Sequence, residues 1–125
     1  MSTITVTNIK ATGETASRAV SGVAGAWCDY SGSGTTLLDS SNVTSATDNG
    51  TGDYTFNLTN AFGSANYAGV VNALNTADNN FDTFMHTQAA GSFSARLRIG
   101  DSGSDTDKET YGIACGDLAL SLIHI

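Results

Sequence analysis

Residues 41–59 read SNVTSATDNGTGDYTFNLT, and this stretch decides the fold class. Its centre is Thr47-Asp48-Asn49-Gly50-Thr51-Gly52-Asp53. Asn-Gly between two alternating arms is the strongest short-range hairpin signal, because both residues tolerate positive φ. Residues 41–46 read as the first arm. In residues 53–59 the alternation is strict: Tyr54, Phe56 and Leu58 lie on one side, Asp53, Thr55, Asn57 and Thr59 on the other. One hairpin is marginal in water, so the rest of the chain must supply sheet for it to pack on.

Working outward, the same alternation recurs. Residues 3–9 form a threonine-rich strand with Ile4, Val6 and Ile9 as its apolar members, and residues 15–23 a second. In residues 24–30 Ala26, Cys28 and Tyr30 share one face, and Trp27 and Asp29 the other; residues 35–39 return after Ser31-Gly32-Ser33-Gly34. Residues 65–74 make a long strand with Tyr67, Gly69 and Val71 opposite Ala68, Val70 and Asn72. Residues 83–88 are a short strand. In residues 92–99 Phe93, Ala95, Leu97 and Ile99 point inward and Ser94, Arg96 and Arg98 outward. Residues 109–115 and 118–125 close the series. About ten short strands with turn signals roughly every 8–12 residues predict an all-β antiparallel sandwich, jelly-roll-like in type. No segment carries a convincing helical period.

Composition agrees. Thr, Ser, Asn and Gly make up 55 of the 125 residues, Lys, Arg, Asp and Glu only 14%, and proline is absent. A surface of hydroxyls, amides and turns suits strands rather than charged helices. The net charge of −7 and five Lys+Arg argue against nucleic-acid binding, which needs a basic face. No apolar run approaches the ~18 residues of a membrane span. The first ten residues, MSTITVTNIK, have neither basic start nor apolar core, so no signal peptide is expected. Cys28 and Cys115 are too few for a disulfide framework and read as free thiols; a bridge would require their strands to be neighbours.

Candidate chemistry is sparse. Residues 101–107, DSGSDTD, alternate oxygen ligands but lack the glycine and glutamate of a calcium loop, so a solvated hairpin loop is expected. His86 and His124 are the only histidines, and no His-x-His pair occurs. There is no Gly-x-Ser-x-Gly elbow, and the acidic residues are mostly turn aspartates with only Glu14 and Glu109 beside them, so no enzyme, metal or cofactor is expected. Aromatics with amides suit sugar contacts better. Trp27, Tyr54 and Phe56 are expected in the core. Phe62 and Phe81, inside polar loops with Asn79 and Asn80, are the candidate exposed ligand-binding group. The terminal LALSLIHI is apolar on both faces, which calls for burial in a sheet or against another subunit.

With those segments laid out, Ala24-Gly25-Ala26-Trp27, Ser31-Gly32-Ser33-Gly34-Thr35, Asp39-Ser40-Ser41-Asn42-Val43-Thr44-Ser45, residues 47–56 and Ala65-Asn66-Tyr67 form a recognisable pattern. It resembles the β-rich distal domain of tailed-phage and prophage tail-fibre or virion structural proteins. The likeness is close over residues 16–72 and continues only as strand character. Cys28 stands where that family carries a valine, and about fifteen residues stand where fibre-type members carry a shaft or anchor.

The expectation is therefore an N-terminal arm, residues 1–15, and a β-sandwich domain, residues 16–125. The resemblance implies a virion structural protein, made in the host cytoplasm, that displays a β-domain and attaches to host-surface glycan. The alternatives are a capsid decoration or head-spike protein without a ligand, and a depolymerase. More apolar strand is present than one small sandwich can cover, which predicts a homotrimer in contact with other virion proteins. Ile4, Val6, Leu120, Leu122 and His124 are the expected interface.

Overall fold

In a computed structural model of the chain, residues 2–10, 12–13, 15–16, 18–19, 24–32, 34, 36–74 and 80–119 are described. Ten strands follow in chain order: β1 (Asn8–Ile9), β2 (Arg18–Ala19), β3 (Ala24–Tyr30), β4 (Leu37–Ser41), β5 (Val43–Gly50), β6 (Asp53–Leu58), β7 (Ala68–Ala73), β8 (Phe81–Ala89), β9 (Ser92–Ile99) and β10 (Thr110–Cys115). All pairings are antiparallel, and no helix occurs among the described residues. The protein is an all-β antiparallel sandwich. One sheet has the order β4-β3-β10-β7 and the other β5-β6-β9-β8, while β1 and β2 make a separate pair.

The sandwich shares with a jelly roll the pairing of its first strand with its last, β3 with β10. Otherwise the pairing differs, because β3 with β4, β5 with β6, and β8 with β9 are hairpins of chain neighbours. The chain crosses between sheets at Asn42. Its φ of 58° breaks the expected strand 41–46 into the end of β4 and the start of β5. Asparagine tolerates this left-handed geometry. Its side chain then fastens the corner: Nδ2 donates to the Gly25 and Asn60 carbonyls, and Oδ1 accepts from the Asn60 amide.

The central hairpin forms, with its turn two residues later than expected. Gly50 pairs with Asp53, so Thr51 and Gly52 are the loop, and Asn49 is a bulge between the Asp48 and Gly50 pairs. The positive φ values belong to Gly50 (140°) and Gly52 (65°). Gly52 is fixed by contacts as well as conformation. Its amide donates to Asp107 Oδ1 at 2.8 Å, and its carbonyl accepts from the Leu97 amide at 2.9 Å.

The core lies between the sheets. Ala26, Cys28 and Tyr30 of β3, Val71 of β7 and Ala114 of β10 meet Val43 of β5, Tyr54 and Phe56 of β6, and Phe93, Ala95 and Leu97 of β9. Aromatic rings stitch the layers edge to face, Tyr30 sitting 4.8 Å from Tyr54 and 5.9 Å from Phe56, and within the second sheet Phe56 lies tilted against Phe93 at 5.4 Å. Of the expected arm strand 3–9, only Asn8–Ile9 is strand, paired with Arg18–Ala19. Ile4 and Val6 are exposed. Of the expected strand 118–125, Leu118 bridges Phe62 and Ala119 donates its amide to Ala61. Leu120, Leu122 and His124 lie outside the described residues.

Candidate interaction surface

The two outer faces of the sandwich differ in chemistry. On β10, Thr110, Gly112 and Ala114 are buried, which turns Tyr111, Ile113 and Cys115 outward. Ile113 is in register with Val70 of β7 on one side and Trp27 of β3 on the other. These three make an apolar row across the sheet, exposed by 64% at Val70, 41% at Ile113 and 38% at Trp27. Beside the row is an open depression of about 200 Å3 lined by Ala68, Gly69, Val70, Ile113 and Cys115. A contiguous exposed apolar surface on a small domain marks an interaction site.

The next outward row, two residues along the strands, is polar and acidic. Tyr111 faces Asn72 on β7 and Asp29 on β3, and Asp29 faces Asp39 on β4. Glu109 joins from the segment before β10, accepting a 3.4 Å bond from the Tyr111 hydroxyl. One oxygen of Asp29, Oδ1, is buried with no donor in reach. Loss of water, then the Glu109 and Asp39 carboxyls, hold the Asp29 pKa above its ordinary value.

The opposite outer face is mostly a lattice of hydroxyls and amides, with Phe84, 39% exposed, beneath the Arg98 guanidinium 5.8 Å from its ring centroid. Asn57 Nδ2 donates to Ser45 Oγ and Thr47 Oγ1, both at 3.1 Å, and Asn49 Nδ2 donates to Thr55 Oγ1 at 2.8 Å. Arg96 and Arg98 converge on Asp105 at 3.0 and 3.2 Å. The hydrogen bond from Arg96, then that from Arg98, holds the Asp105 carboxyl below its ordinary range.

The expected ligand group does not assemble. Phe62 is 2% exposed, stacked on Tyr67 with ring centroids 4.1 Å apart, so its reading as an exposed loop aromatic is corrected. Its amide donates to Ala90 at the far end of β8, whereas Phe81 opens that nine-residue strand. The two rings are thus at opposite ends of the sandwich, about 30 Å apart at ~3.3 Å per residue. Phe81 is half-buried with the Lys108 ammonium 5.7 Å from its ring centroid, and Asn80 is exposed. Asn79 lies outside the described residues.

Trp27 departs from the core placement expected of it, while Tyr54 and Phe56 are fully buried. The apolar row was readable only in part. Val70-Val71 and Ile113-Ala114 are apolar on both faces, the pattern of a strand covered on both sides. Cys28 and Cys115 stand on neighbouring strands, yet Cys28 faces the core and Cys115 the outer depression, and both are free. Among the described residues, no group of three or more His, Cys, Asp or Glu side chains could hold a metal ion, and no helix is long and apolar enough to cross a membrane. Comparisons of the chain with protein families, curated proteins and solved structures return no match.

Proposed function

We propose that this chain is a structural β-domain of a tailed-phage or prophage virion, of tail-fibre type, that seats on other virion proteins through one sheet and presents the other for attachment to the host surface. One observation carries the reading: the outer face of β4-β3-β10-β7 bears the Val70–Ile113–Trp27 row, and the outer face of β5-β6-β9-β8 bears bonded threonines, serines and asparagines. An apolar face gains more by leaving water than a face of mostly bonded polar groups does. The homotrimer belongs to this proposal, held by Ile4 and Val6 of the arm with Leu120, Leu122 and His124 of the tail. Three copies would multiply weak host contacts into firm adhesion.

Burial of Phe62 favours a second reading, a capsid decoration or head-spike subunit without a ligand, because it removes half of the aromatic platform a sugar would stack on. Subnanometre imaging of particles tests the first claim. Density for this sandwich on the virion, seated by the Val70–Ile113–Trp27 face, supports it; its absence from particles overturns it. A glycan-array signal from the purified chain then favours attachment, and stable capsid binding without one favours decoration.

A further inference from the structure

We infer that the outer face of β4-β3-β10-β7 docks an extended segment of a partner protein in which an arginine or lysine stands two residues from a small aliphatic side chain. The apolar half of the match is the Val70–Ile113–Trp27 row and the depression beside it, which suits aliphatic groups. The charged half is the adjacent row, where Asp29 and Asp39 are cross-strand partners and Glu109 stands next to them. Three carboxylates on one face repel each other, and Asp29 Oδ1 has no donor. A guanidinium supplies the opposite charge, and donors to the exposed Asp39 carboxylate beside it. An extended segment repeats its side chains every second residue, so alternate residues fall on one face toward this sheet.

A second copy of the chain fits this face less well. It brings the same net charge of −7. Its Arg96 and Arg98 are engaged by Asp105, and its Lys108 lies over Phe81. The inference rests on the seating role proposed above and names the chemistry of what is seated. The two fail separately, because peptide binding in solution does not depend on where the chain sits in a particle.

The test is an NMR titration of the 15N-labelled chain with the blocked six-residue peptide Ser-Arg-Ser-Val-Ser-Arg, which puts arginine and valine on one face of an extended segment, and with its counterpart in which glutamate replaces arginine. The arginine peptide is expected to shift the amides of Trp27, Asp29, Val70, Tyr111 and Ile113, and to bind at least tenfold more tightly than the glutamate peptide. Asp29→Asn combined with Glu109→Gln is expected to weaken it about tenfold. Val70→Ser, at an exposed position where folding is retained, is expected to weaken both peptides alike. Asp101→Asn, in a loop away from the face, is expected to leave binding unchanged. Equal affinity for the two peptides, shifts confined to β5-β6-β9-β8, or no shift at millimolar peptide overturns the inference. So does sedimentation showing that copies of the chain associate through this face, with Val70→Ser dissolving the association.

Discussion

The Tyr54 hydroxyl lies 2.7 Å from Asp107 Oδ1, joining β6 to the segment before β10 across 53 residues of chain. The same oxygen accepts the Gly52 amide, and the Gly32 carbonyl lies 2.9 Å from the phenol. One carboxylate thus holds the hairpin turn, a core tyrosine and the long polar loop at one end of the sandwich. Tyr54 is fully buried, so losing its partner leaves polar atoms without water. Asp107→Ala is expected to cost ~1–3 kcal/mol by urea unfolding, while Asp107→Asn, which keeps an acceptor oxygen, costs less. Equal losses for the two variants would show that the oxygen is not what the turn and phenol require.

The position of the hairpin turn has its own consequence. A β-carbon on Gly52 would stand 2.5 Å from the Leu97 carbonyl oxygen and 2.7 Å from that of Thr106, at a φ of 65°. Gly52→Ala is therefore expected to cost ~2 kcal/mol or more, combining backbone strain with collision. Asn49 has no positive φ and is exposed. Asn49→Ala removes only its surface bonds to Thr55 and Asp53, worth a few tenths of a kcal/mol. A turn centred on Asn49-Gly50 would give the reverse order, and paired chemical-denaturation curves separate the two.

The strands β3 and β9 were legible from the residues alone, with bounds matching those read, although Ser94, read as outward, is 1% exposed with its hydroxyl bonded to Thr87. Where both neighbours are apolar, alternation marks a strand without saying which face is inside. Val71 is buried and Val70 exposed, and nothing in the dipeptide distinguishes them. The choice is made by the partner layer, since Val71 reaches the core cluster. Trp27 misled for the same reason: a large aromatic is usually core, but its neighbours Ala26 and Cys28 take the inward positions. Phe62 misled in the other direction. Its polar neighbours mark a loop, and the loop folds its ring over Gly25 and Gly116, whose lack of side chains makes room for it. The Asn42 corner lay hidden inside an apparently continuous strand. The apolar row depends on the register of three strands distant in sequence, which no local pattern encodes.

The two thiols give a direct check on which face of the sheet is inside. Burial pushes the Cys28 thiol up to about 12, while Cys115 is half-buried at the outer depression. The thiolate is the reactive form. At pH 8 in native buffer, iodoacetamide is expected to modify Cys115 and to spare Cys28 until the chain is unfolded by denaturant. Peptide mass mapping reads the site. Rapid native modification of Cys28, or a bridge between the two thiols, would contradict the register of β3 with β10.

Alkaline stability follows from the same burial. The Cys28 thiol rises from an ordinary 9.0 to about 12 in the fold, and burial also raises Tyr30 and Tyr54. A group whose folded pKa is raised contributes stability that is complete below its unfolded pKa and lost as pH climbs toward the folded one. Unfolding free energy is thus expected to fall from about pH 9 upward, with a slope near ~1.4 kcal/mol per pH unit from Cys28 alone and steeper once tyrosine ionises in the unfolded chain. In Cys28→Ala the decline between pH 9 and 10 should become shallower, leaving the part the tyrosines contribute, and the steeper part should remain. Urea midpoints across pH 7 to 11 measure it, and an unchanged slope between pH 9 and 10 in the variant would exclude Cys28 as its source.

Asp29 is expected to behave in the opposite sense to a stabilising carboxylate. Its pKa in the fold is raised by loss of water and by Glu109 and Asp39, so the folded state holds its proton more tightly than the unfolded chain does. Stability associated with Asp29 is therefore present below its unfolded pKa and declines as pH rises through the raised value. In its ionised form, with Oδ1 lacking a donor, the group is a net cost to the fold. Asp29→Asn replaces that charge with an amide that can donate to Glu109. It is expected to raise stability at pH 7 by a few tenths to ~1 kcal/mol, the lower end reflecting solvent screening at this partly exposed site. The gain should vanish at pH 3, where wild-type Asp29 is itself neutral. The same variant is expected to weaken the arginine–valine peptide, so stability and binding move in opposite directions at one residue. Opposed changes of that kind mark a group kept for a partner rather than for the fold. A variant less stable than wild type at pH 7 would instead make Asp29 a structural residue of the β3–β4 pair.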